Sequence, residues 1–166
     1  MIKIVEADEA LMKDAEKLIK AVFPWMDLSE KMSFWMFRNR RNPVARVMMR
    51  FDGVSELLSM YVALNPGSRE VCGTTGFYTC IKDEAEAYWL SWFCVAPELR
   101  GQGIGKQLLE FSIEKAKTDG KKFLRLYTSD DENEAEAQGL YEKYGFKAVG
   151  EEKKEYYTLI YRELRL

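Results

Sequence analysis

The sequence contains no histidine. That single absence removes the usual general base, the usual partner of a nucleophile and the commonest metal ligand, so no metal site is expected. Cysteine is scarce: Cys72, Cys80 and Cys94 form an odd set with no Cys-x-x-Cys pair. They read as reduced, mostly buried thiols of a cytoplasmic protein rather than a disulfide framework. A charge excess is missing too. The 25 Lys and Arg residues nearly balance 27 Asp and Glu, leaving −2. This argues against a dedicated binder of nucleic acid or of an anionic membrane. The first residues, Met1-Ile2-Lys3-Ile4-Val5-Glu6, hold no long apolar run, so neither a signal peptide nor a spanning helix is expected. No repeat, low-complexity run or linker interrupts the chain, and residues 1–166 read as one domain. With 47% hydrophobic and 31% charged residues, the chain is globular and long enough for a sizeable core.

What is present centres on Trp89-Leu90-Ser91-Trp92-Phe93-Cys94-Val95-Ala96-Pro97-Glu98-Leu99-Arg100-Gly101-Gln102-Gly103-Ile104-Gly105-Lys106. The first half reads as a strand. Leu90, Trp92 and Cys94 are expected on one face, and Trp89, Phe93 and Val95 on the other. A strand apolar on both faces belongs inside a sheet covered on both sides. Pro97 cannot donate to a ladder and ends it. After the glycines, Ile104, Leu108 and Phe111 recur at helical spacing, as do Leu109, Ile113 and Ala116.

A glycine turn at a helix start is an anion site. The first helical N–H groups lack partners, the helix dipole is positive there, and glycine lets a phosphate approach bare backbone. Two phosphate loops are excluded by spacing. A Walker loop sets four residues between its first glycine and Gly-Lys-Ser/Thr. Gly101 is followed by only three, Gln102 to Ile104, before Gly105-Lys106, and Gln107 offers no hydroxyl. The dinucleotide pattern needs a further glycine where Lys106 or Leu108 stands.

The rest of the chain supplies the frame. Ile2 to Val5 read as a first strand. Asp8 caps a helix with Leu11, Ala15, Leu18, Ile19 and Val22 on one stripe. Pro24 follows it. A second helix is expected from Ser29, as its cap, to Arg41, carrying Met32, Phe34, Trp35, Met36 and Phe37 almost all round. Pro43 breaks it, residues 43–56 carry no clear pattern, and Asp52-Gly53 marks a turn. Strands follow at Leu57–Leu64 and Val71–Ile81, joined at Asn65-Pro66-Gly67. Gly73 and Gly76 inside the second suggest a bulge or a close backbone approach. Lys82 to Glu86 form a polar hairpin into the central strand. Beyond Gly120, Phe123–Tyr127 read as a strand, Ser129 and Glu132 as a capping box, and Ala137, Leu140, Tyr141 and Tyr144 as a helix closed by Gly145. Phe146–Val149 and Tyr156–Leu164 make a last hairpin. The order implies an α/β (α+β) fold, a mixed sheet of about six or seven strands with helices on both faces.

Arg100-x-x-Gly103-x-Gly105 resembles the acyl-CoA pyrophosphate loop of the GNAT superfamily of N-acetyltransferases, whose pattern is Gln/Arg-x-x-Gly-x-Gly/Ala. Val95-Ala96-Pro97-Glu98 precedes it, as in many members. Downstream, Ala137-Gln138-Gly139-Leu140-Tyr141-Glu142-Lys143-Tyr144-Gly145-Phe146 is similar to the family's second landmark. The likeness is specific from about residue 86 to 149. It implies a GNAT fold in which the strand ending at Val95 splays from its neighbour to admit pantetheine. Phe93, Cys94 and Val95 would then pair with the pantetheine amides. Backbone N–H groups of Arg100, Gly101, Gln102, Gly103, Ile104, Gly105 and Lys106 would hold the pyrophosphate. The Arg100 side chain would add charge or pair with Glu98. Tyr141 stands where the family places a general acid, the role favoured here over core packing of its ring. The family often has Asn seven residues before that tyrosine; Glu134 is there, and the pantetheine contact is carried over to Asn133.

The implied reaction is transfer of acetyl from acetyl-CoA, a cosubstrate, to a primary amine on a small molecule or peptide by direct attack. The base is open between an ordered water, Glu84 and Glu86. Since Ser91 is the only polar side chain inside the central strand, water is favoured. The second helix is either plain core or an acceptor-pocket wall. Arg38, Arg40 and Arg41 are either a solvated helix end or a hold on an anionic acceptor. Other functions on the same fold are a non-catalytic acyl-CoA sensor and an interaction module with Trp25, Trp35 and Met36 as its surface. A monomer or a homodimer suits any of these.

Overall fold

The computed structural model describes residues 2–24, 26, 28–131 and 134–166, leaving aside the side chain of Ser29. Strand β1 is Lys3–Glu6. Helix α1, Glu9–Val22, begins where the Asp8 carboxylate accepts from the Leu11 amide at 2.9 Å. Its stripe of Met12, Ala15 and Ile19 is buried. Helix α2 spans Leu28–Arg38 and stops short of the expected Arg41. There the Asn39 side chain donates to the Trp35 carbonyl at 2.8 Å, taking a terminal acceptor.

Pro43 does not simply end that helix. It opens another, α3, Pro43–Phe51, with Asn42 as cap accepting from the Val44 amide at 2.9 Å. The N–H that proline lacks is one that a first helical turn leaves unpaired. Asn42-Pro43 was therefore a start signal in a stretch that carried no clear pattern. Strand β2, Val54–Leu64, starts earlier than expected, and β3, Val71–Cys80, and β4, Ala87–Val95, follow. A short helical turn, Pro97–Leu99, leads into α4, Ile104–Thr118. The chain closes with β5, Phe123–Ser129, α5, Ala135–Lys143, β6, Lys147–Lys153, and β7, Thr158–Arg165.

The seven strands form one sheet in the order β1-β2-β3-β4-β5-β7-β6. Every pairing is antiparallel except β4 with β5. A parallel pair needs a crossover, and α4 supplies it. Helices α1 and α2 cover one face through Met12, Ile19, Phe34, Phe37, Met60 and Val62. Helices α4 and α5 cover the other through Leu109, Ala116, Tyr141, Phe77, Leu90 and Leu124.

The strict alternation expected along β4 does not hold. Leu90 packs on the α4 side, whereas Trp92 and Cys94 join the α1 side. Between the pairs Gly76↔Ser91 and Thr74↔Cys94, both Trp92 and Phe93 oppose Thr75. This is a β-bulge, with Trp92 at φ 50°, and one extra residue exchanges the two faces. Gly76 makes room for it. A Cβ there would lie 2.6 Å from Ser91 Oγ and 3.3 Å from the Phe37 ring.

Candidate active site

The site begins as a gap in the sheet. β4 and β5 pair only from Ala87↔Phe123 to Trp89↔Arg125. Both strands continue, β4 to Val95 and β5 to Ser129, without pairing further. The β5-facing edge beyond Trp89 is therefore open, and Phe93, Cys94 and Val95 lie along it. A cleft of about 970 Å³ runs from this gap to the α1/α2 side. Ser91 Oγ and Thr128 Oγ1 line it, buried and without a hydrogen-bond partner among the described residues. Such hydroxyls imply that something polar from outside the chain completes them.

The loop stands at one end of the gap. Gly101 and Gly103 adopt φ of 73° and 78°, which side-chain-bearing residues avoid. That turn leaves the N–H groups of residues 101–106 without a backbone acceptor among the described residues. The Arg100 amide differs from expectation: it is already given to the Pro97 carbonyl at 3.3 Å. Among the described residues Arg100 forms no ion pair with Glu98, and its side chain is exposed on the cleft rim. Lys106 sits 3.9 Å from Glu110. Gln102 is the exception within the loop. It does not line the cleft and instead borders a separate pocket with Ile2 and Asn65, contrary to expectation.

Tyr141 comes from α5 and lies against the open edge of β4. Its ring is 5.7 Å from that of Phe93 and 5.5 Å from that of Phe146. Ring packing and access to the cleft thus coexist. The hydroxyl has no protein partner among the described residues. Burial, and then the negative charge of Glu134, push its pKa far above the ordinary phenol value. The proton stays on at any neutral pH. Cys94 is buried in the same wall, and burial pushes its thiol up to about 11 despite the Thr74 hydroxyl 3.2 Å away. It is a packing residue, not a nucleophile.

The other expected residues divide. Glu84 is bonded to Ser55, and Glu86 lies 3.4 Å from Arg125, both before β4 begins and outside the cleft lining. Arg38 pairs with Glu16 on α1 at 3.4 Å, and none of Arg38, Arg40 and Arg41 lines the cleft. Helix α2 is both core and wall, since Phe37 is fully buried and also borders the cleft beside Met36, Ser33 and Glu30. Trp25, Glu132 and Asn133, named above for a surface, a cap and a pantetheine contact, lie outside the described residues. Glu134 takes the capping position of α5 instead, accepting from the Ser129 amide at 3.1 Å and from its hydroxyl at 2.9 Å. Burial raises its pKa against those two hydrogen bonds.

Sequence reading missed Tyr78, Tyr127, Tyr161, Glu30 and Glu134 as lining residues. No local motif marks them; only the strand register, β3-β4-β5-β7, brings the three tyrosines to one wall. Among the described residues no cluster of three or more acidic or cysteine side chains could hold a metal, and no helix is long and apolar enough to cross a membrane.

Splayed parallel strands, a bulge on the first of them and a glycine loop aimed at the gap are the frame of an acyl-CoA acetyltransferase. The family model of the acetyltransferase (GNAT) domain matches residues 56–148, and the chain belongs to that family. Solved structures agree in fold. A GNAT-family acetyltransferase from Staphylococcus aureus Mu50 is 18% identical at TM-score 0.72, covering 99% of this chain and 100% of that one. The ribosomal-protein-S18-alanine N-acetyltransferase of Escherichia coli is 18% identical at 0.72, covering 99% and 94%. A GNAT-family acetyltransferase from Elizabethkingia anophelis with acetyl-CoA bound is 19% identical at 0.65, covering 99% and 98%. No curated protein matches the sequence significantly.

Proposed function

We propose that the protein is an acetyl-CoA-dependent N-acetyltransferase acting on a primary amine by direct attack. One observation carries the reading: Gly101 and residues 103–106, whose amides have no backbone acceptor among the described residues, line the same cleft as the Tyr141 hydroxyl, which has no protein partner among them. The fit to acetyl-CoA rests on that open strand edge, on the bare amides and on the buried hydroxyls of Ser91 and Thr128. Bound there, acetyl-CoA supplies an acyl thioester activated for transfer.

The chain's own groups have separate tasks. Amides 101–106, at the positive end of α4, hold the pyrophosphate, and exposed Arg100 and Lys106 add charge. The open edge of Phe93–Val95 receives the pantetheine amides. Ser91 Oγ holds an ordered water that accepts the proton of the incoming ammonium, so that a neutral amine attacks. The C–N bond forms, the C–S bond breaks, and Tyr141 gives its proton to the departing sulfur. As the amide forms, the nitrogen gives its second proton to the same water, which passes it to solvent, and the phenol is reprotonated from solvent. An amine acceptor is in keeping with the N-acetyltransferase among the structural relatives, although at 18% identity that likeness is one of fold.

The test is thiol release from acetyl-CoA across a panel of primary amines, beside a thermal melt with acetyl-CoA. Amine-dependent release is expected. Stabilisation without release over the whole panel would make the protein a sensor. A melting temperature unmoved by millimolar acetyl-CoA would overturn the reading.

A further inference from the structure

Four aromatic side chains line the cleft away from the loop: Tyr78 on β3, Trp89 on β4, Tyr127 on β5 and Tyr161 on β7. Their strands are neighbours in the sheet. Tyr78 is directly across from Trp89, and Tyr127 from Tyr161. Ring centroids are 6.1 Å apart for Tyr78 and Trp89, 6.3 Å for Trp89 and Tyr161, and 6.1 Å for Tyr127 and Tyr161. Two rings are fixed by their polar ends. Trp89 Nε1 donates to Asp83 at 3.1 Å, and the Tyr161 hydroxyl donates to Glu152 at 2.9 Å. The Tyr78 and Tyr127 hydroxyls have no protein hydrogen bond among the described residues.

Trp89 and Tyr161 meet edge to face at 84°, as do Tyr127 and Tyr161 at 60°, so the cluster presents separate ring faces, each of which can attract a cation. One face already carries an alkylammonium: Lys82 Nζ sits 5.2 Å from the Trp89 ring centre. Lys82 is exposed and free to swing away. Negative charge surrounds the same end. Glu30 and Glu134 both line the cleft. The remaining cationic lining residues, Arg100, Lys106 and Lys143, belong to the loop, α4 and α5. The cleft is thus cationic where phosphates would lie and aromatic with carboxylates where the acceptor would lie.

We propose that the aromatic wall is the distal half of the acceptor site and selects a linear amine with a second alkylammonium group. Trp89 precedes Phe93 by four residues, so the second charge falls on the order of 10 Å from the reacting nitrogen, at about 3.3 Å of rise per residue less the bulge. The alkyl span packs on Met36 and Phe37 of α2, while the charge rests on the tyrosine faces and displaces Lys82. An acceptor bearing a carboxylate there would meet Glu30 and is disfavoured. This inference rests on the N-acetyltransferase reading above.

The probes are octylamine and diaminooctane, equal in length and differing by one ammonium. Two measurements are made on the full chain: KM for each amine in acetyl transfer, and calorimetric titration of each amine into CoA-saturated protein. Diaminooctane is expected to have the lower KM and the tighter binding, by about tenfold. Tyr127→Leu, at a half-exposed position that tolerates substitution, should bring the ratio of the two amines toward one. Lys82→Met, which removes the resident ammonium, should widen it. Equal values for the two amines, or a ratio that Tyr127→Leu leaves intact, would overturn the subsite. If neither amine turns over, the titrations still decide it. If acetyl-CoA itself neither binds nor stabilises, the N-acetyltransferase reading has failed, and the titrations into unliganded protein score the wall separately. A peptide with a free N-terminus and a nearby lysine, run in parallel, tells whether the second ammonium arrives on a free diamine or on a basic chain.

Discussion

At the loop end of the cleft, the lining comes from one short segment, Gly101 and residues 103–106, whose amides have no backbone acceptor among the described residues. At the other end, the proposed acceptor end, the lining is side chains from separate elements: Glu30 on α2, Tyr78 on β3, Trp89 on β4, Tyr127 on β5 and Tyr161 on β7. The contrast teaches how one fold keeps a cosubstrate while changing its acceptor. Amides are present whatever the side chains are, so the loop end depends on conformation, and glycine guards it. The acceptor end depends on chemistry, and single substitutions can rewrite it.

Tyr141 stands between the two ends and gives the largest expected effect. Tyr141→Phe keeps the ring contacts to Phe93 and Phe146 and removes the proton donor. Positioned proton transfer is worth about 10²- to 10⁴-fold, so kcat should fall by that factor with CoA affinity unchanged. Steady-state kinetics beside calorimetry decides it. A kcat within about twofold of the parent, with chemistry limiting, would leave Tyr141 to packing alone.

The loop end as a whole is weighed by ligand stabilisation. Acetyl-CoA at about a hundredfold excess over its Kd should add about 2.7 kcal/mol, read as a rise in melting temperature. Gly76→Ala probes the frame behind the acceptor end. Its Cβ meets Ser91 Oγ at 2.6 Å and the Ser91 carbonyl at 3.2 Å, so overpacking should cost about 1–3 kcal/mol in chemical denaturation. An unchanged midpoint would mean that the bulge beside the Gly76–Ser91 pair shifts freely.

Gly103→Val sharpens the claim that conformation governs the loop. Nothing lies within 4 Å of a Cβ at Gly103, so steric packing is not at stake; φ of 78° is. CoA affinity should drop about tenfold, about 1.4 kcal/mol, in a variant that still folds. Chelator treatment should do the least. Phosphates held by amides need no divalent ion, and identical CoA binding with and without a strong chelator is the expected result. Lost binding would show that the loop end is not built of amides alone.

Much of this protein was settled within short stretches of sequence. The capping of α1 by Asp8, the glycine turn into α4, the landmark around Tyr141 and the succession of strands follow from propensities acting over a few residues. The glycine turn at the loop end was legible for the same reason: it is one short run of consecutive residues. Residues 43–51 were unreadable because Pro43 signals a helix stop and a helix start alike, and the Asn42 cap decides between them.

The faces of β4 and the acceptor end required tertiary structure. Alternation assumed a regular ladder, and the extra residue opposite Thr75 exchanged the two faces; a bulge is a property of a strand pair, which one strand's sequence does not encode. Glu84 and Glu86 looked available as bases until Ser55 and Arg125 engaged them across the fold. Tyr78, Trp89, Tyr127 and Tyr161 are spread over much of the chain and become neighbours through register alone. The sequence by itself determined the family, the loop and the candidate acid, because those signals are local. Which side chains line the far end of the cleft was decided only when distant strands paired, since register fixes which residues share a wall.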